Sequence, residues 1–577
     1  MIKEVLIVFK THLDIGFTDY SENVINNYIE NFIPNAIKTG YELKDTKTPF
    51  IWTVGSWLIW EGLKRDSDGK LAQAIKDGII SWHSLAFTSH TELMSEKLFD
   101  YSLSLSDKLD ERFGKKTIGA KMTDVPGHTI GMIPYMKKHG VEFLHIGVNP
   151  ATPTPEVPPV FRWKTGNDEL IVMYGNGYGK NEEFDDFAIC FGHTADNHGA
   201  QSPDEIKKLY ADLQKKYPEA TVKAATLCDV AEKMKTLKNL PVIYDEIGDT
   251  WIHGAGTDPK KVAEYRELLR YIDDKDLTDI DLADNLLLIP EHTWGVNLHK
   301  FFNVTDIWYN KDFEKTEGRE DRVAFEKSWE EQRSYLRKAE KVLNTTCSYS
   351  PSEPDLAGLK KVSVPERLDF ELSWQLFDTD DYQRYMDKYI TFTPMNIGWA
   401  CSDFIKLGLP VYEGGIFSAK ATECYTNNSK TVYKLEFDKT LTEEYGLPYL
   451  WAVEDGENFT VSWFGKKASR LPQAFWLKFY GHDENWQVSK MGKWIDPEKV
   501  IGSPLIMATD KGIKNLNAHI EPLDSVLLAP FGRRLLDFEK YPKGQDMYFN
   551  LYNNIWNTNF PMWYSDDSTF RFIKKTY

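Results

Sequence analysis

A chain of 577 residues with 69 Lys and Arg against 87 Asp and Glu carries a formal charge of −18, a sign that argues against nucleic acid and anionic membranes as partners. At 42% hydrophobic and 27% charged residues it has the make-up of a protein with large packed cores, and its length suggests three or four folding units rather than a disulfide-stapled scaffold. Aromatic residues reach 14%, which fits either aromatic cores or ring faces that stack on sugars. The cysteines Cys190, Cys228, Cys347, Cys401 and Cys424 are widely spaced, without a Cys-x-x-Cys pair, and read as free thiols. The opening MIKEVLIVFKTH lacks the apolar core of a signal peptide, and no apolar run reaches the roughly 18 residues of a membrane span. As written, the chain reads as soluble and cytoplasmic, or as periplasmic or secreted if a leader has been removed.

Val5 to Phe9 predicts the first strand, and Val24, Ile25, Tyr28, Ile29, Phe32 and Ile33 recur after it at helical spacing. Further strands are predicted at Phe50 to Val54, Ile79 to Trp82, Ile118 to Met122, Phe143 to Ile146, Leu170 to Tyr174, Phe187 to Phe191 and Val222 to Thr226. Short β runs alternating with helical stretches point to an α/β domain with parallel strands, arranged as a barrel or a long open sheet. Lys260 to Tyr271 and Glu317 to Leu343 read as helices, the second laced by Arg322/Glu326 and Lys327/Glu331 at i, i+4. The prolines Pro351 and Pro354 break that pattern. Beyond them, Thr431 to Phe437, Phe459 to Phe464, Ala474 to Tyr480 and Ser525 to Leu528 read as strands of a β-sandwich. The expected organisation is an α/β domain over 1–250, a helical middle over 251–348 and a β domain over 349–577.

Chemistry concentrates in three short segments. Thr11-His12-Leu13-Asp14-Ile15-Gly16-Phe17 follows the first strand directly, and on an extended backbone His12 and Asp14 project the same way. Carboxyl ends of parallel strands are where α/β enzymes place their sites, and a neutral imidazole beside a carboxylate suits a divalent metal, zinc above all. The triplets His90/Glu92, His482/Glu484 and His519/Glu521 share the spacing, but His12 is set apart by the buried strand before it. The second segment, Met122-Thr123-Asp124-Val125-Pro126-Gly127-His128, also follows a predicted strand; the third is Glu291-His292-Thr293-Trp294-Gly295. His12, Asp14, Asp124 and His292 together supply two imidazoles and two carboxylates, enough to neutralise a doubly charged ion.

His-x-Asp-x-Gly-aromatic near the N-terminus, Asp-x-x-Gly-His about 110 residues later and an isolated His after a helical stretch resemble glycoside hydrolase family 38, the retaining α-mannosidases. Asn553-Asn554-Ile555-Trp556-Asn557-Thr558-Asn559-Phe560 is similar to a segment of that family's C-terminal β domain. The resemblance implies a seven-stranded α/β barrel, a helical middle, β-sandwich modules, and Zn2+ held by His12, Asp14, Asp124 and His292, with Asp124 also the nucleophile. It implies an acid/base carboxyl in Phe191 to Gly199, where Asp196 is the candidate; Glu182, Glu183, Asp185, Asp186 and Glu92 are alternatives. His253 competes for the fourth metal position, and the resemblance favours His292. Phe17, His128, His198 and Trp294 are candidate substrate-binding residues, with His193 beside them. Phe17 stands where the family usually has Trp, and Asp-Val-Pro-Gly-His and His-Thr-Trp-Gly depart from the usual Asp-Pro-Phe-Gly-His and His-Asp, so a divergent branch acting on a carbohydrate is expected. The rival readings are a zinc-dependent sugar deacetylase or amidohydrolase and a carbohydrate-binding protein without catalysis.

Overall fold

The computed structural model describes the chain apart from residues 180, 278–281, 299–306, 481–484, 503–505, 531 and 534–545. Two compact units emerge. The first comprises Met1–Thr91, Glu96–Asp245 and Pro290–Thr293; the second comprises Glu92–Ser95, Glu246–Ile289 and Trp294–Tyr577. The helical middle and the C-terminal strands thus fall in one unit.

In the first unit the strands are β1 (Glu4–His12), β2 (Trp52–Gly55), β3 (Ile80–His83), β4 (Gly119–Asp124), β5 (Phe143–Val148), β6 (Val160–Thr165), β7 (Asp168–Asn176), β8 (Glu182–Glu183), β9 (Phe187–Asp196), β10 (Thr221–Ala224) and β11 (Val242–Ile243). Every strand predicted for this half is present, within a few residues at each end. The additions β6, β8 and β11 are short or half-exposed, so they lack the apolar runs that mark buried parallel strands. One sheet runs β3-β2-β1-β9-β8, with β10 also on β1, and the other runs β11-β6-β7-β5-β4. Pairing is parallel except for β6 on β7 and β8 on β9. The expected seven-stranded barrel is therefore represented by two hydrogen-bonded sheets, with no closed ring among the described residues. One apolar cluster fills the space against both, with Leu6 and Val8 of β1 and Ile189 of β9 beside Phe143 of β5 and Ile171 of β7.

The first helical stretch spans Ser21 to Leu43 and passes through a π-helical turn at Tyr28–Phe32. That turn sets Tyr28, which is fully buried, so that its hydroxyl donates to His12 O at 3.1 Å.

The second unit contains helices Pro259–Asp273 and Glu320–Leu343, the latter closed by Asn344 in the left-handed conformation. Arg322 and Glu326 form the expected ion pair at 2.8 Å. Among the described residues two antiparallel sheets follow, of ten and six strands, and they share one apolar core to which Trp374, Phe475 and Leu477 contribute from one sheet and Leu435, Val461 and Trp463 from the other. No helix among the described residues is long and apolar enough to cross a membrane.

Candidate metal and catalytic site

The carboxyl ends of the parallel strands converge in the first unit. His12 is the last residue of β1, Asp124 the last of β4 and Asp196 the last of β9, while Asn149 follows β5 directly and Tyr178 lies just beyond β7. His292 reaches the same place from the segment Pro290–Thr293, which is stitched to the loop after β3. Ser89 forms an antiparallel bridge with Glu291, His90 N donates to Pro290 O at 2.9 Å and His292 N to Thr88 O at 3.4 Å.

His12 Nε2 lies 3.1 Å from Asp14 Oδ1, 3.1 Å from His292 Nε2 and 4.0 Å from Asp124 Oδ2. His292 Nε2 lies 3.0 Å from Asp14 Oδ1 and 3.5 Å from Asp124 Oδ2. Four donors at the usual zinc distances of about 2.0–2.2 Å stand about 3.3–3.6 Å apart along the edges of a tetrahedron, and the measured separations straddle that range. All four residues are buried, and Asp14 Oδ2 has no hydrogen-bond partner. His12, Asp124 and His292 form one group with ligand atoms all within 4.8 Å of one another, and Asp14 Oδ1 stands beside both imidazole nitrogens, a donor set that fits a divalent ion. His292 Nδ1 is 2.7 Å from Glu291 Oε1, a carboxylate that fixes the ring and leaves Nε2 facing His12 and Asp14.

The strand alternation that placed His12 and Asp14 on one face is replaced by a loop, because β1 ends at His12. Asn197, at φ +52°, holds that loop. Its Nδ2 donates to Asp14 O at 3.1 Å, Gly16 O at 3.3 Å and Thr18 Oγ1 at 2.9 Å, its Oδ1 accepts from Asp14 N at 3.0 Å, and its own N donates to His12 O. Gly16, at φ +137°, supplies a backbone conformation closed to other residues.

Asp124 sits at φ +81°, a strained value for a residue with a side chain. Asn149 Nδ2 and the Tyr178 hydroxyl donate to its Oδ1 at 2.9 and 2.5 Å, and the Tyr178 ring stacks on His12 with centroids 5.2 Å apart. Oδ2 is thereby left facing the two imidazoles. Burial works against ionisation of Asp14 and Asp124, but the adjoining His12 and His292 outweigh it and hold both carboxyls below their ordinary range. His292 shows the mirror image: burial opposes its charge, yet Glu291, Asp124 and Asp14 push its pKa well above that of free imidazole.

Asp196 differs from these. Burial and the negative charges of Asp14 and Asp124 outweigh His12 and His292, raising its carboxyl to about 7, and its Oδ1 is buried without a hydrogen-bond partner. It lies opposite His12 in the register, and its carboxylate falls within 4.8 Å of ligand atoms of His12 and Asp14.

The structure also sorts the remaining candidates. His253 belongs to the second unit, buried flat on Trp556 with centroids 4.8 Å apart, whereas His292 stands beside His12, Asp14 and Asp124. Glu92 is committed elsewhere in the second unit: it binds Lys490 Nζ at 2.6 Å and accepts from Ala508 N at 2.9 Å, so it is no alternative acid. Glu183 is held by Tyr217 and Lys216 at the surface, and Asp186 faces Lys3. Phe17, at φ +58°, and His198 keep exposed surface, but His128 is fully buried beside Thr91. Trp294 corrects the expectation placed on it: it lies in the second unit, 1% exposed, with Lys261 Nζ 3.7 Å over its ring, and offers no face to a sugar. His482 and Glu484 lie outside the described residues, and His519 and Glu521 stand on a strand of the second unit. Asn149, Tyr178 and Asn197 went unread in the sequence. Only Asn197 carried a signal there, as the neighbour of Asp196.

Residues 255–367 match a family described as a domain of unknown function, DUF5054. No curated protein matches the sequence. Among solved structures the chain is similar over 100% of its length to an alpha-mannosidase from Enterococcus faecalis V583, covering 87% of that chain at 11% identity with a TM-score of 0.57. It is likewise similar over 100% of its length to a protein in glycosyl hydrolase family 38 from Enterococcus faecalis, covering 86% of that chain at 9% identity with a TM-score of 0.52. At these identities the likeness establishes the fold. At that level it bears out the resemblance carried by the His-x-Asp and Asp-x-x-Gly-His motifs.

Proposed function

We propose that the chain is a metal-dependent, retaining glycoside hydrolase, α-mannosidase-like, acting on a carbohydrate with zinc as its ion. The observation that carries this reading is the convergence of His12, Asp14, Asp124 and His292 beside a separate carboxyl, Asp196, whose pKa of about 7 suits a general acid. When bound, the divalent ion would supply positive charge that holds sugar hydroxyls and the carboxylates in place. Asp124 Oδ1, aimed by Tyr178 and Asn149, attacks the anomeric carbon. The glycosidic C–O bond breaks, its electron pair goes to the leaving oxygen, and that oxygen takes the Asp196 proton. In the second half, the Asp196 carboxylate removes a proton from water. The resulting oxygen bonds to the anomeric carbon while Asp124 leaves and the sugar is freed with its original configuration.

The test pairs the metal content of the purified protein with turnover on a panel of aryl glycosides, with and without chelator, and follows the product anomers by NMR. Retention of configuration and loss of turnover on metal removal are expected. Inversion would exclude the double displacement and favour direct attack by an activated water.

A further inference from the structure

Beneath the ligand layer the first unit carries a second polar layer. On β1 the side chains of Leu6, Val8, Lys10 and His12 alternate onto one face, so Lys10 lies one step below the ligand His12. Lys10 is in register with His193 of β9, and its Nζ is 3.2 Å from His193 Nδ1. On the other sheet Lys121 is in register with His145, and its Nζ donates to Thr123 Oγ1. His83, at the end of β3, feels the charge of both lysines, as does His145.

This layer is made of basic side chains whose burial works against their charge. Lys10 and Lys121 are buried, and among the described residues no carboxylate lies within ion-pair distance of either. His83 Nδ1 and His145 Nδ1 are buried without hydrogen-bond partners, and both rings are at least nine-tenths removed from solvent. A cavity lined by His12, His83, Thr88 and Lys121 opens against this layer, with room for about one or two water-sized bodies. Buried charges are ordinarily paired, because an isolated ion loses its hydration without compensation. The charge of Asp196 reaches Lys10, but among the described residues no carboxylate is paired with Lys121.

We infer that this cavity binds a monatomic anion of the chloride class, held by Lys121 and His83 beneath the metal-ligand layer. The space is too small for a tetrahedral oxyanion, whereas a halide is little larger than water. Burial draws Lys121 down to about 7, and an adjoining anion would hold it protonated. The inference rests on the first unit's geometry and not on the glycosidase reading, so either can fail alone.

The experiment is halide replacement. The metal-loaded protein is crystallised from chloride-free solution containing bromide, and an anomalous difference map is calculated at the bromine edge. A peak in the cavity at hydrogen-bond distance from Lys121 Nζ is expected, and it should vanish in Lys121→Met. In solution, the unfolding temperature should rise by about 1 °C for each tenfold of halide above the dissociation constant, against a gluconate background, and stay flat in the variant. Absence of the peak, or a peak that persists in Lys121→Met as an adventitious ion only, overturns the inference. Should Lys121→Met fail to fold, His83→Leu decides it with the wild-type map: loss or weakening of the peak supports the inference and an unchanged peak overturns it.

Discussion

Replacing Asp196 by Asn separates catalysis from stability at one position. In the metal-free chain its carboxyl titrates near 7, against 3.8 for the unperturbed group, a gap of about 3 units or at most about 4 kcal/mol of differential interaction. A raised carboxyl pKa means that the folded chain holds a proton the unfolded chain has lost. Stability contributed by this group is therefore full below about pH 4 and falls as pH rises towards 7, where the carboxylate must form inside the site. The residue is only partly buried, and solvent screening trims the penalty to about 2 kcal/mol. Asp196→Asn, measured by denaturant unfolding in chelator, should be more stable than wild type by about that amount at pH 8 and indistinguishable from it at pH 4. In the metal-loaded enzyme, the same substitution removes the proton donor, a loss of about 10²–10⁴ in kcat/KM on glycosides with poor leaving groups. Activated aryl glycosides should keep most of their first step, with azide restoring the second. The ion's charge draws this raised pKa back down, so the alkaline limb of the wild-type pH profile, set by loss of the Asp196 proton, should fall at or below 7. Wild-type kcat/KM on unactivated substrates, or a variant less stable at pH 8, would refute the reasoning.

His12→Ala should abolish tight metal binding, read by elemental analysis, while far-UV circular dichroism stays unchanged; full occupancy in that variant would sink the site. Glu291→Gln should weaken metal affinity by about 10–100-fold, because the amide no longer fixes the His292 ring, and competition with a chromophoric chelator measures it. Tyr178→Phe should retain the metal yet lower kcat by about tenfold or more, since a hydrogen bond to a charged oxygen at Asp124 is lost. Asp124→Asn should end turnover on every substrate and weaken metal binding together, which steady-state assays and elemental analysis on the same sample distinguish from the Asp196 result.

Local physics made much of this legible in the sequence. The runs Val5 to Phe9 and Phe187 to Phe191 are apolar because parallel strands are covered on both faces, and each of the two strands was found for that reason. His12, Asp14 and Asp124 could be picked out because turn-forming residues directly after such strands mark their carboxyl ends. Other decisions required the chain to fold. His292 follows an apolar segment and His253 precedes a glycine-rich one, and the two look equivalent in one dimension; bridging of Glu291 to Ser89 brings one to the cluster, while the ring of Trp556 covers the other. Glu92 sits one residue after Thr91, yet its partner is Lys490, 398 positions away, a pairing that no local pattern encodes. Tyr178 and Asn149 acquire their role only because β5 and β7 lie side by side and end at the same level as Asp124 on β4. The grouping of the strands into two sheets, and the layer of lysines and histidines under the ligands, depend likewise on which strands become neighbours. Sequence alternation fixes which side chains share a face of one strand, but only tertiary packing decides what that face meets.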